Sequence, residues 1–193
     1  MNTKELNELM QGCRTYRRFL QEPVEEAVIR EMLENARIAS SARNDQPLYY
    51  YAVTSPEKVR AMQPLVKWAA SLPPELGTPK AGEQPTAFLV MVKQAGANAF
   101  SDVDVGIAMH TLALTAWSHG IGSCMMGAIN RPEIAKLLGV DAADTVHLAV
   151  ALGYPAHKST VVPLKDGQKN YWRDENGDYS VPKYSLEEIV RYL

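Results

Sequence analysis

The sequence predicts an α+β domain in which helices cover a small sheet. Two kinds of segment alternate along it: stretches whose apolar residues repeat at helical spacing, and short runs rich in β-branched and aromatic residues. A chain of 193 residues, 46% hydrophobic and 22% charged, is also long enough to bury a core without metal or disulfide staples, and it suits a single domain over 1–193. Its 20 basic and 22 acidic side chains leave a net charge of −2, so nothing draws it generally to nucleic acid or to an anionic membrane.

The elements follow in order. A short N-terminal helix leads to a basic stretch at 13–19. From Pro23 to Ala39 the spacing of Ile29, Met32, Leu33 and Ala36 predicts a helix with one apolar face, with Pro23 near its first position and Glu25 and Glu26 against its positive end. Residues 40–47 read as a polar loop and Leu48–Thr54 as a strand. A second helix is expected over Ser55–Ala70, broken near Pro64. Residues 71–85 hold Pro73, Pro74, Pro79 and Pro85 with Gly77 and Gly82, and they read as a loop or flap. Ala87–Lys93 is a short apolar run suited to a central strand. Ser101–Ser118 is a helix apolar nearly all round, to be buried in a core or at a subunit interface. A glycine-bearing connection starts at His119, followed by a helix over Arg131–Leu138 and a strand over Val146–Leu152. The polar stretch 156–180 contains Asn176-Gly177, a type I′ hairpin signal, and Ser185-Leu-Glu-Glu188 is a capping box for a last helix.

Several chemistries lack support. His110, His119, His147 and His157 have no metal-ligand spacing with one another or with the cysteines, and Asp174-Glu-Asn-Gly-Asp178 has its glycine too early for a calcium loop. No nucleophile elbow occurs, and the G-x-G-x-x-G pattern fails at Met125. Cys13 and Cys124 read as reduced thiols, Cys124 as a small buried residue. Met1–Phe19 has no signal-like apolar core and no segment approaches the roughly 18 apolar residues that span a bilayer, so the cytoplasm is the expected compartment.

Three segments carry more. Cys13-Arg-Thr-Tyr-Arg-Arg-Phe19 offers guanidinium forks and a hydroxyl suited to a phosphate dianion, although a solvated basic stretch explains it equally well. Ser40-Ser-Ala-Arg-Asn-Asp-Gln-Pro47 offers hydroxyls and carboxamides to a polar heterocycle, or is simply a helix end and turn. Gly120–Ala128 lets a ligand approach bare backbone, or caps the preceding helix. Trp68, Tyr171 and Trp172 either stack on an aromatic substrate or pack.

Taken in order, these segments resemble the FMN-dependent nitroreductase family. Its R-R-S-x-R-x-F-like opening corresponds to Cys13–Phe19, and its A-P-S-x-x-N-x-Q-P to Ala39–Pro47. Its dimer-core helix pattern corresponds to Asp104–Ala116, followed by Gly120-Ile-Gly-Ser-Cys124 and Ala151-Leu-Gly-Tyr-Pro155. The resemblance covers essentially the whole chain. It implies a three-layer sandwich with a small mixed, mainly antiparallel sheet, in an obligate homodimer that shares its FMN sites between subunits. Arg14, Thr15 and Arg17 then hold the FMN phosphate and ribityl chain, with Lys183 as a second phosphate contact. Ser40, Ser41, Ala42 and Asn44 approach the flavin from the partner subunit, and Met126, Gly127 and Ala128 supply the backbone stretch near flavin N5. Cys13 stands where the family has a leading arginine, and Ser40 where it has proline. NAD(P)H is the implied donor and a small electron-poor molecule, such as a nitroaromatic or quinone, the acceptor in ping-pong turnover. No side-chain acid or base is required, because the flavin carries the chemistry. A flavin-binding sensor or carrier with little turnover, and a noncatalytic dimeric interaction module, are the competing readings.

Overall fold

The computed structural model describes residues 1–69 and 71–193. Among the described residues there are seven α-helices and seven strands: α1 Thr3–Gly12, α2 Glu26–Ile38, β1 Leu48–Val53, α3 Pro56–Met62, α4 Pro74–Gly77, β2 Ala87–Lys93, α5 Ser101–Ser118, β3 Gly122–Met126, α6 Arg131–Leu138, β4 Thr145–Gly153, β5 Ser159–Pro163, β6 Trp172–Arg173, β7 Tyr179–Lys183 and α7 Leu186–Ile189. Local chemistry fixes several ends. Asn2 and Glu5 close a capping box on α1, Ser185 and Glu188 do the same for α7, and Gly139 ends α6 in the left-handed conformation at φ 67°.

The main sheet runs β1-β2-β4-β3, antiparallel throughout. Along β2, Ala87, Leu89 and Met91 face a core made with α2 and α5, while Phe88, Val90 and Val92 face a second core with α3 and α6. Both faces are covered, which is why β2 and β4 read as unbroken apolar runs instead of alternating ones. The result is a helix–sheet–helix sandwich of three layers. In β4, Leu148, Val150 and Leu152 join the first core and Ala149 and Ala151 the second. Register slips between Met91 and Val92, so Val146 returns to the face of Ala149 and Ala151, as a bulge requires.

Four expectations need correction. α2 starts at Glu26 with Glu25 as its cap, so Pro23 lies before the helix and not in its first turn. The predicted 55–70 helix is only α3 followed by a 3-10 turn at Gln63–Leu65, where Pro64 interrupts it; its last residue, Ala70, lies outside the described residues. The connection after α5 is a strand, β3, paired along its length with β4. The hairpin joining β6 to β7 holds Gly177 alone at positive φ, 87°, so it is not type I′; Asp174 closes it by accepting the Gly177 N–H at 3.1 Å. The polar stretch 156–180 supplies most of a second sheet, ordered β5-β7-β6 with β5 parallel to β7.

Candidate cofactor site

The basic segment after α1 owes its position to two glycines. Thr15 bridges Ser123 at the free edge of β3, and the Tyr16 N–H donates to the Ser123 carbonyl at 2.9 Å. Tyr16 and Phe19 then lie across the end of the sheet, over Gly122 and Gly153, which are register partners in β3 and β4. A Cβ at Gly122 would sit 2.8 Å from Tyr16, and one at Gly153 would sit 2.9 Å from Phe19. These glycines permit close packing of the segment. Tyr16 also stacks on Trp117 of α5, with ring centroids 5.0 Å apart, and burial pushes its phenol up to about 12.

So anchored, the segment lines a cavity of about 550 Å³. Arg14, Thr15 and Arg17 meet Lys183 there, brought from the other end of the chain by β7. Ser123 and Met125 of β3 and Gly106, Met109 and His110 of α5 complete much of the wall, and no carboxylate belongs to the lining among the described residues. The size suits a cofactor-sized molecule. Arg14 and Arg17 are half-buried, and the Nε of each is buried without a hydrogen-bond partner. Two guanidinium groups beside a lysine and a hydroxyl, with no carboxylate among them, make a site for a multiply charged anion, and a phosphate group fits it. Arg14 uses its Nη2 on the Met10 carbonyl at 3.2 Å, and the Arg17 guanidinium lies 4.4 Å over the Tyr171 ring.

The third arginine has another task. Arg18 is buried, donating from Nε to Glu83 at 3.1 Å, from Nη1 to the Tyr179 hydroxyl at 2.8 Å and from Nη2 to the Leu76 carbonyl. It ties the proline-rich segment to the second sheet. Cys13 also lines the cavity, and burial raises its thiol above the ordinary value, so it is not a pre-formed thiolate.

The remaining predicted residues lie elsewhere. Ser40 and Ser41 border a separate hollow of about 400 Å³ with Asp104 and Tyr50, and neither Ala42 nor Asn44 lines the first cavity. Their loop is strained, with Arg43 at φ 57°, Asn44 at 58° and Gln46 at 47°. It is held by buried Asp104, whose Oδ1 accepts the Ala42 N–H at 2.8 Å, and by Ser41 Oγ, which accepts the Gln46 N–H at 3.2 Å. The Met126 side chain points into the core, while Gly127 and Ala128 are exposed beyond the end of β3. Ala128 borders a third hollow, of about 620 Å³, together with Trp68. Trp172 is half-exposed on β6.

Sequence reasoning missed Ser123, Met125 and His157. Period-two alternation in β3 carries the signal for the first two, since Cys124 and Met126 turn inward. No local signal marks His157, which accepts the Arg17 N–H through Nε2 at 3.0 Å. Among the described residues no group of three His, Cys, Asp or Glu side chains converges as a metal site, and no helix is long and apolar enough to cross a membrane.

Known proteins share this fold. Residues 11–154 match the model of the nitroreductase family. A Bacillus subtilis protein, YfhC, provisionally named an NAD(P)H nitroreductase, is 25% identical over 177 residues, 83% of this chain and 91% of that one. A nitroreductase family protein from Clostridium difficile 630 superposes with a TM-score of 0.68 at 16% identity, over 100% of this chain and 98% of that one. A structure described as an oxidoreductase containing FMN superposes with a TM-score of 0.66 at 18% identity, over 95% of this chain and 89% of that one.

Proposed function

Because the chain belongs to the nitroreductase family, we propose that it is an FMN-dependent oxidoreductase that takes hydride from NAD(P)H and passes it to a small electron-poor acceptor. One observation carries the reading: Arg14, Thr15, Arg17 and Lys183 converge on one cavity whose lining among the described residues holds no carboxylate. Arg14, Arg17 and Lys183 offset the charge of the FMN phosphate, and the Thr15 hydroxyl donates to it. FMN held there would supply two-electron chemistry between NAD(P)H and a nitroaromatic, quinone or similar acceptor. Donor and acceptor use the site in turn, which makes turnover ping-pong. The chain assigns no side-chain acid or base to the reaction.

Ser40, Ser41, Ala42 and Asn44 do not reach the basic cavity of their own chain, which supports their serving the FMN of a partner subunit in a homodimer. On α5, Val103 is 56% and Ile107 37% exposed, an apolar stripe beside the cavity that a second copy would cover. In such a shared site the backbone at Met126, Gly127 and Ala128 would serve the reactive edge of the flavin. Two free cysteines and a nicotinamide donor suit the cytoplasm.

The test is an absorbance spectrum of the purified protein with and without FMN, followed by anaerobic NADH and NADPH titration. Flavin bands near about 370 and 450 nm that bleach with a nicotinamide support the oxidoreductase. Bound FMN that resists reduction favours the sensor or carrier, and absence of binding ends the flavin reading. An Arg14→Ala, Arg17→Ala double variant is expected to lose FMN affinity by about a hundredfold while riboflavin affinity changes little; unchanged FMN affinity removes both residues from the phosphate site.

A further inference from the structure

His157 lies just beyond β4, between the rings of Tyr16 and Tyr179, with centroids at 5.4 and 4.7 Å. Both of its ring nitrogens are committed. The Arg17 backbone N–H meets Nε2 at 3.0 Å, and Nδ1 lies 2.9 Å from the Lys158 carbonyl. A backbone N–H can only donate and a carbonyl can only accept, so Nδ1 carries the hydrogen and Nε2 the lone pair. This imidazole is therefore neutral and locked in one tautomer. Its bond spans two distant parts of the chain and ends on the residue whose guanidinium lies over Tyr171 at the cavity wall.

We propose that His157 is a positioning residue of the anion site: its neutral Nε2 fixes the Arg17 backbone so that the guanidinium faces the cavity, and protonation at Nε2 releases it. This rests on the reading that a phosphate-bearing cofactor occupies that cavity. The groups facing the imidazole are the guanidinium groups of Arg17 and Arg18 and the phenols of Tyr16 and Tyr179. Asp178 also faces it, its carboxylate accepting the Lys158 N–H at 2.7 Å. Burial, aided by Arg18 and Arg17, pulls the imidazole below its ordinary 6.5, against the opposing pull of the Lys158 carbonyl and Asp178. The proton sign follows from that. Above pH 6.5 the ring is neutral in both folded and unfolded chains and the bond to Arg17 is complete; the bond is lost as pH falls through the depressed folded value. A protonated ring would add a cation outside the cavity lining, but it would also set one N–H against another at Arg17.

The experiment compares the full-length wild type with His157→Gln and His157→Ala. FMN and riboflavin affinities are read by flavin fluorescence from about pH 8 to about pH 5, with thermal melts to confirm folding. At about pH 8, His157→Ala is expected to weaken FMN about tenfold and riboflavin less than about twofold, because the Arg17 guanidinium is proposed to serve chiefly the phosphate, which riboflavin lacks. His157→Gln, whose Oε1 accepts the Arg17 N–H, is expected to stay within about threefold of wild type. The ratio of wild-type to His157→Gln affinity for FMN should fall below pH 6.5, the titration of FMN itself cancelling in that ratio.

Unchanged FMN affinity in His157→Ala, equal losses for riboflavin, or a ratio that stays flat while the ring nitrogen shifts report protonation of His157 would overturn the inference. If wild type binds neither flavin, the flavin reading fails by itself. Inorganic phosphate followed at the Arg17 amide resonance then decides: a weaker response in His157→Ala supports the role of His157, and an equal one removes it. If His157→Ala does not fold, the His157→Gln ratio and the ring nitrogen shifts of His157 decide. Two N–H nitrogens on that ring at neutral pH would refute the neutral tautomer.

Discussion

At position 122 an added methyl would meet the Tyr16 ring at 2.8 Å, and the stacked Trp117 leaves that ring no room to retreat. Gly122→Ala is therefore expected to cost about 1–3 kcal/mol of stability and to weaken FMN binding, because the same ring positions Arg14 and Arg17. Thermal unfolding and flavin titration check it; a variant as stable and as tight as wild type would show that the segment does not depend on this contact. The sequence signalled the glycine but not its reason. A ligand approaching bare backbone and a helix cap were both reasonable expectations at 120–128, and neither involves an aromatic ring from a segment a hundred residues earlier. By contrast, Arg14 and Arg17 are legible as candidates for an anion site because guanidinium chemistry is local, whereas separating them from Arg18 needs the positions of Glu83 and Tyr179.

Among the elements, α5 does two jobs with different faces. Leu112, Ala116 and Val105 pack inward, while Asp104 in its first turn takes the Ala42 N–H and so holds a loop with three non-glycine residues at positive φ. Asp104→Ala removes a charge-assisted bond and should cost about 2 kcal/mol while speeding amide hydrogen exchange over 41–46. Asp104→Asn keeps an acceptor and should remain close to wild type; equal protection in the alanine variant would show that the loop holds its shape unaided. Apolar patterning revealed α2 by its helical periodicity and α5, β2 and β4 by nearly unbroken apolar runs, because β2 and β4 are buried on both faces. It missed β3, an edge strand that opens on Gly122 and Ser123 and carries only a weak β signal. It could not find the second sheet, whose parallel pairing of β5 with β7 depends on contacts between strands separated by another strand and a turn.

For the whole molecule, the exposed stripe of α5 and the separation of Ser40 and Ser41 from the basic cavity both point outward, to a second copy. A Val103→Lys, Ile107→Lys double variant puts charge where both side chains already meet solvent, so it should fold, sediment as a monomer and lose FMN. A wild type that is itself monomeric with FMN bound would end the shared-site reading. The basic cavity draws on the chain from Arg14 to Lys183, and the trough that seats its first arginines is unfinished until Gly153 has paired with Gly122. During synthesis Arg14 and Arg17 emerge first and must wait for nearly everything else. A cofactor that needs all of them can bind only after Lys183 has been made and β7 has paired. Such a cofactor would stabilise molecules that carry the β7 segment and not those cut short before it.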